Sequence, residues 1–169
     1  NRPKLEVKAL MNLLDVVINE ELDNLIKQNI KFRCIGNIKS LPNKTKKSLI
    51  HTLEKTSTND GLNLILAINY SGRWDIINAA RQIIQKFNNE DFANFNEKIF
   101  DNYLSTSNIP DPELMIRTSG EQRISNFYLW QLAYTELFFT DILWPDFNKK
   151  ELNNAIFEFK KRDRRFGSI

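Results

Sequence analysis

Hydrophobic positions recur along this chain with two different periods, and the changes of period divide it into elements. Met11, Leu14, Ile18, Leu22 and Leu25 follow one another at steps of three and four, which predicts one amphipathic helix over residues 4–28 with Pro3 at its start. The period then breaks. "IKFRCIG" (Ile30 to Gly36) is a short apolar run closed by glycine, and "LNLILAINY" (Leu62 to Tyr70) is a continuous run of the kind found in strands covered on both faces. Between them, "PNKTKKSLIHTLEKT" reads as a solvated helix carrying four lysines. A second strand-to-helix unit follows at once, because Ile76, Ala80, Ile83 and Phe87 mark one face of a helix that opens just after "NYSGRWD". "ELMIRTS" supplies a third strand and "ELFFT" a fourth. Asn148, with Glu151 three residues on, forms a capping-box start for a last helix over residues 148–165.

Strands alternating with helices predict an α/β fold with a mainly parallel central sheet flanked by helices. No internal repeat, low-complexity tract or long linker interrupts the 169 residues, so one domain over 1–169 is expected. Composition agrees: 41% hydrophobic and 27% charged residues are ordinary for a globular unit with a real core. The net charge of +3 is a mild surplus, so its placement matters more than its size. The one cysteine, Cys34, lies within an apolar run and has no partner for an internal disulfide. It is expected to be a buried small hydrophobe in a reducing, cytoplasmic protein. No apolar run approaches the roughly 18 residues that span a bilayer.

Several chemistries lack their residues. The chain has no GxGxxG, no GxxxxGK[ST] loop and no cysteine pair, and its sole histidine, His51, sits among the lysines of the solvated helix. Histidine catalysis and zinc are therefore not expected. A nucleic-acid interface would use "KKRDRR" (Lys160 to Arg165) and the lysine-rich helix, where no aromatic residues are interleaved with the charges, so no nucleic-acid partner is expected.

The informative stretch is "RTSGEQRISNFYLWQLAYTELFF", Arg117 to Phe139, where charged and hydroxyl groups interrupt a core-like sequence. In open parallel sheets ligands sit at the carboxyl ends of strands, and Arg117 immediately follows "ELMI". Arginine presents a planar fork of donors that matches phosphate oxygens, so Arg117, Arg123 and Ser125, with Gly120 between them, form a candidate polyphosphate cradle. In the alternative, the two arginines pair with Glu121 and Asp141 as structural ion pairs. Glu136 favours the cradle. A carboxylate beside bound phosphate calls for a cation between them, and Mg²⁺ is held by one or two carboxylates together with substrate phosphate oxygens.

"IPDPELMIRTSGEQRISNFYLWQLAYTELFFTDILWPDF" (Ile109 to Phe147) resembles the signature block of the cis-prenyltransferases, the family of undecaprenyl diphosphate synthase. "NYSGRWDI" (Asn69 to Ile76) resembles a second family motif, "NRP" at the start resembles the tail of the ENWxRP segment, and "RRFG" resembles the closing RxG element. The resemblance covers essentially the whole chain. It implies that Arg117, Arg123 and Ser125, with Ile124 in the same strip, bind the diphosphate of isopentenyl diphosphate. It also implies that Glu136 ligates Mg²⁺, that Arg2 contacts a substrate diphosphate, and that the activity is condensation of isopentenyl diphosphate with an allylic diphosphate such as farnesyl diphosphate.

The resemblance further implies a homodimer, and the aromatic content of "YLWQLAYTELFF" exceeds what one small layer needs to cover itself. A peripheral contact with the membrane surface for product release, and an apolar tunnel using Leu62 to Ile68 with Leu10, Met11 and Leu14, belong to the same expectation. Gln122 stands where some relatives carry histidine, so no role of that histidine transfers. Family members open with an HGNGRWA-like loop bearing the catalytic aspartate and carry FSxEN residues before WxRP. Neither is in this sequence, so no catalytic residue is assigned within it, an upstream segment is expected, and residues 1–169 alone are expected not to turn over. A non-catalytic partner subunit of the same fold is the alternative, and the presence of Arg117, Arg123, Ser125 and Glu136 argues against it.

Overall fold

A computed structural model describes residues 3–87 and 91–163. Contacts divide the chain into two compact units, one ending at Tyr70 and one beginning at Ser71. Arg2, expected to contact a substrate diphosphate, and the "RRFG" element lie outside the described residues.

In the first unit, helix α1 (Lys4–Lys27) leads to strand β1 (Lys31–Ile35), helix α2 (Asn43–Lys55) and strand β2 (Asn63–Ala67). The strands pair in parallel, Lys31 opposite Asn63 and Ile35 opposite Ala67, with α2 as the crossover between them. Ile18 and Leu25 of α1, Phe32 of β1, Leu41 just before α2 and Leu49 within it form the buried cluster, and Met11, Leu14, Cys34 and Leu66 pack against it. The stripe predicted for α1 is therefore the face it buries. Cys34 is only half-buried, yet burial still pushes its thiol up to about 11, against a smaller opposing effect from a hydrogen bond to the Ile68 backbone.

Helix α2 departs from its expected solvated character. Its lysines do point away, but Leu49 is fully buried, and Thr45 and Thr52 are buried beside it. Threonine reads as polar in a sequence pattern; here the hydroxyl of Thr52 donates to the Ser48 carbonyl (3.1 Å) and that of Thr56 to the Thr52 carbonyl (2.8 Å). Hydroxyls bonded back to their own helix can enter a core without an unmet donor. Thr56 also accepts the Phe32 N–H at 3.2 Å, tying the end of α2 to β1. β2 is covered less than its apolar run suggests: Ile65 and Leu66 are half-buried while Leu62 and Leu64 stand exposed, and β1 pairs with it on one edge.

The second unit begins with helix α3 (Gly72–Lys86), followed by a short helix α4 (Glu97–Asp101), strand β3 (Leu114–Arg117), strand β4 (Glu136–Phe139) and helix α5 (Lys149–Lys160). β3 and β4 are again parallel, Leu114 opposite Glu136 and Arg117 opposite Phe139. Both pairs being parallel and helix-flanked, the chain is α/β as the sequence indicates. Asn148 caps α5 by accepting the Lys150 N–H at 2.9 Å, and the helix stops at Lys160, so residues 161–163 have left the helix expected to run through them.

Gly36 shows how tightly the first unit closes after β1. Its φ is +113°, and a β-carbon there would lie 2.2 Å from the Ile68 carbonyl oxygen. The chain thus needs both a left-handed backbone and the absence of a side chain at this point. Gly36→Ala is expected to cost well over about 1 kcal/mol. Chemical denaturation checks this, and an unchanged midpoint would contradict the close approach.

Candidate functional site

Arg117 is the last residue of β3, so the strand delivers its guanidinium to the carboxyl edge of the β3–β4 pair. From there it turns back onto the crossover. Its Nη1 donates to the Ser125 hydroxyl at 3.0 Å and to the Arg123 carbonyl. The crossover, residues 118–135, is built from turns, and Ser119, Gly120, Ser125, Asn126 and Tyr128 all have φ between 46° and 72°. Ser119 and Gly120 donate their N–H groups to the Ile142 and Thr140 carbonyls at 2.8 and 2.9 Å, which ties the start of the loop to the chain beyond β4. A cavity of about 400 Å³ opens beside this loop, lined by Arg117, Thr118, Ser119, Glu121, Ile124 and Phe127 among others.

Of the residues expected to bind diphosphate, Arg117 and Ile124 line this cavity. The Ser125 hydroxyl and the Arg123 carbonyl are joined to Arg117 by its two hydrogen bonds. Arg123 also forms an ion pair with Glu121, its side chain 66% exposed. The alternative of structural ion pairing therefore holds for the Arg123 side chain, while Arg117 is committed to the loop rather than to Asp141. An exposed ion pair of this kind contributes little and yields readily to a more highly charged anion.

Glu136 is not brought to this group. It opens β4 opposite Leu114, three positions below the level of Arg117, about 10 Å along a strand. Its Oε2 accepts from Arg162 Nη1 at 2.7 Å, and the same guanidinium donates to the Leu137 carbonyl at 3.0 Å. Among the described residues no group of three or more potential metal ligands exists. Tested against the donors present, a Mg²⁺ ion would find one carboxylate, Glu136, and would depend on substrate phosphate oxygens for the rest.

Two polar features were not read from the sequence. Asp75, in the first turn of α3, is buried at 1% exposure and accepts hydrogen bonds from the Ser105 N–H (2.9 Å), the Ser105 hydroxyl (2.7 Å) and Gln131 Nε2 (3.4 Å). Gln131 Nε2 also donates to the Thr106 hydroxyl at 2.8 Å. Burial first, and the Asp75 charge second, hold the Tyr128 phenol above its usual pKa. This network anchors the middle of the crossover to α3. The second feature is Asn126, whose carbonyl accepts the Gly72 N–H at 2.7 Å and whose Oδ1 accepts the Arg73 N–H at 3.0 Å. A buried carboxylate spaced at four from Ala79, and an asparagine next to the expected Ser125, were the available signals.

The first unit holds a separate groove of about 1180 Å³, lined by Leu10, Met11, Leu14, Asp15, Ala67 and Ile68 among others. Asp15 is 2% exposed, with Lys44 Nζ 4.0 Å from Oδ2 and no hydrogen-bond partner for Oδ1 among the described residues.

Comparison with known proteins gives this geometry its context. Residues 1–167 match the family described as "Putative undecaprenyl diphosphate synthase". The chain is 47% identical over 168 residues to an isoprenyl transferase of Chlorobaculum tepidum, covering 98% of this chain and 63% of the relative. It is 50% identical over 171 residues to the farnesyl-diphosphate-specific ditrans,polycis-undecaprenyl-diphosphate synthase of Buchnera aphidicola subsp. Schizaphis graminum, covering 99% of this chain and 68% of the relative. The crystal structure of lavandulyl diphosphate synthase from Lavandula x intermedia, in complex with dimethylallyl diphosphate, superposes with a TM-score of 0.93 at 38% identity, over 99% of this chain and 74% of that one. The chain thus spans roughly two thirds of the length of the curated relatives it matches. With its fold, its motifs and these likenesses in agreement, the chain belongs to the undecaprenyl diphosphate synthase family of prenyltransferases.

Proposed function

We propose that this chain carries the isopentenyl diphosphate side of a cis-prenyltransferase active site. The activity would be repeated condensation of isopentenyl diphosphate with an allylic diphosphate, farnesyl diphosphate in the first instance, to make a long cis-polyprenyl diphosphate. The observation that carries this reading is Arg117 at the carboxyl end of β3, holding Arg123 and Ser125 in a left-handed loop beside a cavity.

In this reading the diphosphate of isopentenyl diphosphate takes the Ser125 hydroxyl and draws the Arg123 guanidinium away from Glu121, exchanging a weak exposed ion pair for charge-assisted bonds to phosphate oxygens. Arg117 supplies positive charge from beneath and keeps the loop in shape. The substrate's double bond is thereby fixed in direction toward the allylic partner. The allylic carbon–oxygen bond breaks with departure of diphosphate, the double bond of isopentenyl diphosphate forms the new carbon–carbon bond, and loss of a proton sets the new double bond. Magnesium, held by Glu136 together with substrate oxygens, would offset diphosphate charge when bound. The groove along Leu10, Met11, Leu14 and Ile68 is assigned to the growing hydrocarbon.

Among the described residues no helix is long and apolar enough to cross a membrane, and we place the protein in the cytoplasm with product released at a membrane surface. Tyr134 and Trp144, each 73% exposed, support the homodimer as the aromatic surface that a second copy would cover.

The experiment is incorporation of labelled isopentenyl diphosphate into butanol-extractable lipid by the full-length protein. Arg123→Ala removes a charge-assisted contact of about 1.5–3 kcal/mol and should lower kcat/KM for isopentenyl diphosphate by at least about tenfold, with Ser125→Ala milder. Activity of Arg123→Ala within twofold of the unmutated enzyme would reject the assignment. Glu136 is tested through its partner. If it serves the metal, Glu136→Gln weakens the Mg²⁺ dependence, while Arg162→Ala leaves turnover and strengthens the apparent Mg²⁺ affinity by freeing the carboxylate. Equal losses of thermal stability in both variants, with an unchanged Mg²⁺ response, would make the pair structural.

A further inference from the structure

The strip from Arg123 to Asn126 is held from two directions. On one side Arg117 binds the Arg123 carbonyl and the Ser125 hydroxyl. On the other, the first turn of α3 is docked onto Asn126, which accepts the Gly72 N–H through its own carbonyl (2.7 Å) and the Arg73 N–H through Oδ1 (3.0 Å). The next donor, the Trp74 N–H, is taken by the Ser71 hydroxyl at 3.3 Å. The first two donors of this helix are therefore spent on holding the loop and the third on the helix's own cap.

The docking is close because residue 72 has no side chain. A β-carbon on Gly72 would lie 2.6 Å from Leu129 Cγ and 2.8 Å from the Leu129 nitrogen. Asn126 itself has φ of 63°, a conformation that asparagine tolerates better than most residues. Carbonyl, side-chain amide and backbone conformation at this one residue thus all serve the same contact. Neighbouring Ser125, also left-handed at φ 47°, has its hydroxyl direction fixed between the two holds.

We propose that Asn126 is a positioning residue for isopentenyl diphosphate: by docking the Arg123–Ser125 strip onto the start of α3, it sets where the Ser125 hydroxyl and the Arg123 side chain meet the diphosphate. The inference rests on the function proposed above, and it adds a role for a residue that acts through the loop it holds. Asn126 acts on binding of one substrate, so its effect falls on KM for isopentenyl diphosphate and spares both kcat and KM for the allylic diphosphate.

The test uses the full-length enzyme. Asn126→Gly keeps the left-handed backbone and the carbonyl while removing the Oδ1 acceptor. It is expected to raise KM for isopentenyl diphosphate by about three- to tenfold, the worth of one such hydrogen bond, with kcat and the allylic KM within about twofold. Gly72→Ala disturbs the same contact from the helix side and should raise the same KM, and the double variant should add little to the larger single effect. An unchanged KM in Asn126→Gly, with Ser125→Ala still raising it, overturns the positioning role and leaves the diphosphate reading intact. Unchanged KM in Asn126→Gly, Ser125→Ala and Arg123→Ala together overturns both. Because either glycine-contact variant could fold poorly, a measurement on the unmutated protein stands beside them: isopentenyl diphosphate should slow hydrogen exchange at the Gly72 and Arg73 amides. Exchange there that does not respond to saturating isopentenyl diphosphate overturns the proposal.

Discussion

The second unit depends on a guanidinium that is satisfied by its own loop. Arg117 must be stationed at a strand end, yet the residue it holds, Ser125, lies eight positions on in a segment with no regular structure. A turn-built crossover between parallel strands has few backbone bonds of its own to fix it. The charged donors of Arg117 replace them, and the left-handed residues of the loop are tolerable because these bonds over-determine their conformation. Under the proposed function, substrate recognition and local folding would draw on the same atoms, so damage at Arg117 would register in both.

The same economy appears under the crossover. Asp75 gives Ser105 and Gln131 a common acceptor, linking three chain segments through one carboxylate. A buried charge is costly unless its oxygens are met by donors, and here they are met by a backbone N–H, a hydroxyl and an amide. Apolar packing could fill the space, but it would not set the direction in which the crossover leaves α3. Polar contacts fix orientation as well as distance, and a loop without regular structure needs both.

Much of this was legible in the residues. All four strands and helices α1 and α3 follow the changes of hydrophobic period, and the step-of-three-and-four stripe in α1 is the face that packs on Phe32 and Leu49. Arg117, Arg123 and Ser125 could be named because basic and hydroxyl groups stood out against an apolar strand. What escaped were polar residues doing core work. Thr45 and Thr52 hid the buried face of α2, since a hydroxyl bonded to its own helix behaves as an apolar group. Asp75 broke the expected line through Ile76 and Ala80, because the buried line of α3 runs through Asp75, Ala79 and Ile83 instead. The separation of Glu136 from Arg117 depends on strand register, which pattern alone does not supply when both strands are uniformly half-buried.

The contact between Gly72 and Leu129 carries a consequence for how such a protein can diverge. The obstruction includes the backbone nitrogen of residue 129 as well as its side chain, so trimming Leu129 would not make room for a methyl group at position 72. Only a shift in the path of the chain would. Glycine at 72 and the path of the crossover at Leu129 are consequently coupled: a side chain at 72 requires the backbone at 129 to move, and point substitution by itself meets a closed door.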